Sequence, residues 1–187
     1  MKTTTTGRFQ PFIAIYYCAT FVVYSASFLT FFWELQSLLL RFTLSDIIGF
    51  LSYQLAFALI ESVLVSVVIF LLICVLPMRQ IKENRSVAGV FFVFSFAISS
   101  LIFKAGTKLV QWLSATLPIT GYYAIQFTLF LWLFAAFGLP ILSILMIRAQ
   151  NTFARIKALI DNLSVIASMY TALGVIGILM VMYRNLL

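Results

Sequence analysis

The sequence predicts an all-α, polytopic integral membrane protein, one domain over residues 1–187 built from five transmembrane helices. Three observations predict it. Hydrophobic residues make up 64% of the chain and charged residues 9%, where a soluble domain carries roughly a quarter charged residues. Mean hydropathy is +1.13. The apolar residues gather in five runs, each near the ~20 residues that a helix needs to cross a bilayer.

The first run, about 9–33, follows the basic leader MKTTTTGRF. It is too long for a signal-peptide core and has no convincing small-x-small cleavage site, so it reads as an uncleaved first span. The second, about 47–76, begins after Thr43-Leu-Ser-Asp46, which has capping-box spacing with Asp in place of the usual Glu. Pro77 stops it. Its length predicts tilt or projection beyond the hydrocarbon. The third covers about 87–107. The fourth covers about 122–147, with Pro140 as an expected kink. The fifth covers about 163–183.

Ahead of the fifth span, NTFARIKALIDNL places Phe153, Ile156, Ile160 and Leu163 at helical spacing. Two readings fit: a short amphipathic helix on the inner membrane surface, or an extension of the fifth span.

Orientation follows from Lys and Arg. With the N-terminus inside, Lys2, Arg8, Arg79, Lys82, Arg85, Arg148, Arg155 and Lys157 fall in the cytoplasm. Arg41, Lys104, Lys108 and Arg184 fall outside. Eight against four predicts N-in and, with five crossings, C-out. The expected location is the cell inner (plasma) membrane, multi-pass. The net charge of +7 is spread over short clusters between apolar runs. That pattern sets topology and attracts anionic lipid at the inner face, and it argues against a nucleic-acid partner.

Composition narrows the chemistry. There is no histidine, which removes the commonest general base and metal ligand. Cys18 and Cys74 both lie in apolar runs and read as free packing thiols rather than a disulfide. The acids Glu34, Asp46, Glu61, Glu83 and Asp161 are scattered over different loops and depths. No nucleophile motif, phosphate loop or metal-ligand spacing is present, so no catalytic, metal or cofactor site is expected.

One acid stands out. Glu61 sits in AFALIESVLVSVVIF, inside the second span. Counted along the helices, Glu61 and Lys104 reach similar depths on consecutive antiparallel spans, so Lys104 is its expected ion-pair partner, with Lys108 as the alternative. Glu61, Lys104, Lys108 and Gln126 would then surround a polar pocket for a lipid headgroup or a partner protein. Without such a pocket the pair fixes helix packing only. Alternatively Lys104 snorkels to the headgroups, and Glu61 stays protonated against Gln54 or Ser62.

Other patterns read mainly as packing. Tyr17, Phe21, Tyr24, Phe28 and Phe31 form an aromatic stripe on the first span. Ser164, Ser168 and Ala172, with Gly174 and Gly177 just beyond, form a small-residue ridge for close helix approach, within the chain first and to a partner second. Trp33, Trp112, Tyr122 and Tyr123 fall near expected outer boundaries.

The aromatic first span, the turn ending TLSD, the basic turn PMRQIKENRS before VAGVFFVFSFAISSLIF, and the link MIRAQNTFARIKALIDNLSVIAS follow one another in order. This layout resembles the N-terminal membrane region of bacterial sulfatase-like phosphotransferases and lipoteichoic-acid-synthase-type membrane proteins. The resemblance covers about residues 20–187 and rests on pattern rather than on a diagnostic motif. It implies five spans, N-in and C-out, ahead of an extracytoplasmic catalytic domain. The sequence stops at Arg184-Asn-Leu-Leu187 where that domain would begin, so none of the family's metal ligands or its nucleophile carries over. The expected function is a non-enzymatic membrane subunit or scaffold that binds membrane lipid or another membrane protein. The alternatives are a small homo-oligomeric transporter or ion-coupled permease using Glu61, and the membrane part of a lipid-linked-substrate transferase.

Overall fold

A backbone in lipid has no partner for its N–H and C=O groups except its own helix or a closed barrel. The apolar runs accordingly fold as helices. The structure, a computed structural model, describes residues 6–75, 85–116 and 150–186, and between them 126, 129, 130, 132–135 and 138. These residues are helical except for the short break after Arg41, and no strand occurs among them. Four long helices stand out: α1 (Thr6–Arg41), α2 (Leu44–Val75), α3 (Arg85–Thr116) and α4 (Gln150–Leu186). Each contains a segment long and apolar enough to cross a membrane. Most of the predicted fourth span, the Pro140 kink, the turn at Pro77, Tyr122, Tyr123 and the Trp112 side chain lie outside what is described.

The boundaries differ from expectation in three places, one of them the end of α3, which runs to Thr116 rather than to about 107. α1 continues to Arg41, eight residues past the predicted end. Its last turns, Glu34-Leu-Gln-Ser-Leu-Leu-Leu-Arg41, are mostly strong helix formers and extend the rod with little burial, Leu35 and Leu38 alone being half-buried. The amphipathic link before the fifth span is no separate element. It is continuous with α4, which begins at Gln150.

Only Phe42 and Thr43 separate α1 from α2. The carbonyl of Thr43 accepts the N–H groups of Asp46 and Ile47 at 3.0 and 3.1 Å. Its hydroxyl accepts the Asp46 N–H at 3.4 Å and donates to Asp46 Oδ2 at 2.7 Å. Thr43 is thus the N-cap of α2. The carboxylate returns to the cap's hydroxyl rather than to its N–H, and Oδ1 stays available.

α1 is the axis of the bundle, packed against the other three helices, while α3 touches α2 and α4 only slightly. Contacts fix the directions. Gln54 Nε2 donates to the Ser27 carbonyl at 2.6 Å, and the rings of Phe12 and Phe70 meet edge to face, so α2 runs antiparallel to α1. Tyr16 bonds Thr171 and Arg184 meets Asp46 beside the end of α1, so α4 runs parallel to α1. Ile15 and Ile73 both lie against Gly89, which places the start of α3 at the start of α1. An apolar cluster at this end joins Ile15, Cys18, Ile73, Phe92, Val93 and Leu163.

Lipid tails are as apolar as leucine, so helices associate in a membrane through close packing and hydrogen bonds. The buried face of α2 accordingly carries small residues along most of its length, Gly49, Ser52, Ala56, Ala58, Ser62 and Ser66, with the larger Ile47, Ile69 and Ile73 toward its ends. The serine hydroxyls donate to carbonyls of their own helix at 2.6–2.8 Å, which satisfies them while buried. The opposite faces carry exposed Phe57, Leu64, Val68, Leu71, Val165 and Met169. Such a belt fits a lipid solvent. Cys18 and Cys74 are both free, and Cys74 is exposed rather than buried.

One buried oxygen breaks the pattern. Thr20 Oγ1 is buried with no hydrogen-bond partner. A buried hydroxyl left unsatisfied costs about 1–3 kcal/mol. Thr20→Val keeps the shape and removes that cost, so it is expected to raise stability by about 1 kcal/mol. Thermal unfolding in detergent checks this, and a lowered midpoint contradicts it.

Candidate functional site

The residues nominated from sequence do not converge. Glu61, Lys104, Lys108 and Gln126 are all exposed. No ion pair joins Glu61 to Lys104 or Lys108 among the described residues, where the pair formed is Arg184–Asp46. Depth is not the obstacle. Ile73 lies against Gly89, and from that level Glu61 rises about 18 Å along α2 and Lys104 about 22 Å along α3. Direction is the obstacle. On a helix each residue turns about 100°, which sets Glu61 a quarter-turn or more off the stripe of Ser62 and Ser66, and Lys104 far off that of Ser95 and Ser99. The alternative partners, too, bond elsewhere, and among the described residues neither bonds Glu61. Gln54 holds the Ser27 carbonyl, and Ser62 holds that of Leu59. Glu61 therefore stands among exposed Phe57, Ile60 and Leu64. A carboxylate at the centre of a lipid-facing helix costs about 3 kcal/mol.

The ridge on α4 divides in the same way. Gly174 and Gly177 are buried against α2, Ser164 is half-buried, and Ser168 and Ala172 are exposed. The packed stripe runs through Leu163, Ala167, Gly174 and Gly177, about 100° from Ser164 and nearly opposite Ala172. The aromatic stripe of α1 serves packing. Tyr24 is fully buried, stacks on Tyr170 at 5.1 Å and donates to the Leu55 carbonyl at 3.1 Å.

A site that sequence reasoning missed lies where α2 begins and α4 ends. There an open cleft of about 740 Å³ runs between the two helices. Ile48, Ile176, Leu179 and Met180 give it apolar walls, and Ser52 lies deeper along the cleft. Its mouth carries Ser45, Tyr53, Tyr183 and Arg184. A second hollow of about 380 Å³ shares Gly49, Tyr53 and Arg184 and adds Phe42, Asp46 and Phe50.

Arg184 lies between the two. Its guanidinium occupies the space that a Cβ on Gly49 would fill, so only glycine lets it lie flat on α2. Nη2 meets Asp46 Oδ1 at 3.2 Å. That oxygen is free because Oδ2 is held by Thr43. Beside this pair, the Tyr53 hydroxyl donates to Asn185 Oδ1 at 3.1 Å. Arg184 and Asp46 keep 48% and 40% of their side-chain surface exposed. An ion pair this open adds little to stability, so it exchanges readily for another anion.

No group of three or more His, Cys, Asp or Glu placed to hold a metal occurs among the described residues. Compared with family models, with curated proteins and with solved structures, the chain matches none.

Proposed function

We propose that this chain is a non-catalytic, multi-pass protein of the plasma membrane that holds an anionic, single-headed lipid in the cleft between α2 and α4. The observation that carries this reading is the pairing of apolar walls with one exchangeable guanidinium at the mouth. An acyl chain would lie along Ile48, Ile176 and Met180. A phosphate would take Arg184 from Asp46, because it offers the guanidinium fork two oxygens in matching geometry. Tyr53 and Ser45 would supply further hydrogen bonds at headgroup level. In this reading the chain crosses the membrane five times, N-in and C-out. Support comes from the parallel course of α1, α3 and α4, which asks for a return crossing between α3 and α4. Glu61 borders neither hollow, so the geometry favours lipid binding over an ion-coupled permease.

The test is native mass spectrometry of protein reconstituted with phosphatidylglycerol or phosphatidylcholine. Wild type is expected to retain phosphatidylglycerol, Arg184→Gln to retain roughly tenfold less, a change of about 1.4 kcal/mol, and Asp46→Asn to retain more, since the guanidinium is released. Equal retention by wild type and Arg184→Gln would overturn the assignment.

A further inference from the structure

We propose that copies of this chain associate within the membrane through an ion pair between Glu61 of one copy and Lys104 of another. The argument is independent of the cleft. Both groups are exposed and unpaired within the chain, among the described residues.

Glu61 cannot reach water by itself. It lies about 22 Å along α2 from Asp46 and about 21 Å from Val75, far beyond the span of a glutamate side chain. Among the described residues no cation pairs with it, and no Lys or Arg occurs in the sequence between Lys108 and Arg148.

A second copy carries what is missing. Two copies inserted with the same orientation present Glu61 and Lys104 at heights about 4 Å apart, within the reach of a lysine side chain. The surrounding faces suit a helix contact. Phe57, Ile60 and Leu64 flank the acid, and Leu101 lies one turn below the amine; all are exposed. In a low-dielectric surround each charge lowers the cost of the other, and association removes both from lipid. A lysine also has a second option, snorkelling to the headgroups. A mid-helix glutamate is too short to snorkel that far, so the acid drives the association.

The experiment uses the full chain in lipid vesicles, with donor- and acceptor-labelled populations read by energy transfer. Wild type is expected to self-associate. Glu61→Lys alone would face Lys104 with lysine, and Lys104→Glu alone would face Glu61 with glutamate, so each population by itself is expected to lose transfer at least tenfold. Mixed together, the two variants restore opposite charges at the contact, and transfer is expected to return. Recovery on mixing also shows that both variants are folded. The milder Glu61→Gln is expected to weaken association about tenfold. A wild type that stays monomeric at high protein-to-lipid ratio overturns the proposal. So does self-association of Glu61→Lys or of Glu61→Gln at the wild-type level, and so does a mixture no better than either variant alone.

Discussion

Gly177→Ala is expected to loosen α4 from α2 and to lower stability by about 1–2 kcal/mol. A Cβ at this position would lie 2.9 Å from the Ser52 carbonyl oxygen, 2.9 Å from Leu55 Cβ and 3.1 Å from the Ala56 nitrogen. Two of these atoms are backbone, so no rotamer change relieves the contact and one helix must move. Alanine's better helix propensity offers about 1 kcal/mol in the opposite direction, and the clash outweighs it. Gly49→Ala makes the informative contrast. The obstructing atoms there belong to the Arg184 guanidinium, which swings aside, so the loss stays within about 0.5 kcal/mol. Thermal or denaturant unfolding in detergent reads both. A Gly177→Ala protein as stable as wild type would mean that α2 and α4 do not meet as closely as described.

Tyr24→Ala is expected to cost about 3–5 kcal/mol, the range for emptying a buried aromatic site. Tyr24 is fully buried where α1, α2 and α4 meet. Its ring stacks on Tyr170, and its hydroxyl reaches the Leu55 carbonyl and lies against Gly174. One side chain thus ties three helices together. Tyr24→Phe keeps the stack and loses the hydrogen bond, for about 1 kcal/mol. Unfolding measurements on the two variants separate ring from hydroxyl. Equal losses for Phe and Ala would show that the ring contributes nothing to the junction.

Helix identity was legible in the sequence because lipid leaves a chain few other options. The α2 cap was legible too, since TLSD specifies it locally. What failed was rotation about the helix axes. In a soluble helix the buried face is the apolar one, but here every face is apolar, and the usual contrast vanishes. Ser164, Ser168 and Ala172 form a tidy small-residue series, yet the face against α2 is set by Gly174 and Gly177, about 100° away from Ser164. The better signal lay on α2, where Gly49, Ser52, Ala56, Ser62 and Ser66 recur at near-helical spacing among large residues. Counting along the helices sets Glu61 and Lys104 at similar depth, but depth says nothing of direction. The Asp46–Arg184 pair joins residues 138 apart in the chain, and no local pattern announces a contact of that range.

The two-residue connection between α1 and α2 has a consequence for biogenesis. A hairpin this tight exposes almost no loop to translocate, so the first two spans would enter the bilayer together as one unit as they leave the ribosome. The groove they form along Ser52, Leu55 and Ala56 then waits, unfilled, for a helix that begins about 75 residues after α2 ends. During that interval it presents close-packing backbone to any passing transmembrane segment. Membrane chaperones that shield such grooves would bind nascent chains arrested before residue 150 and release them once the final helix docks.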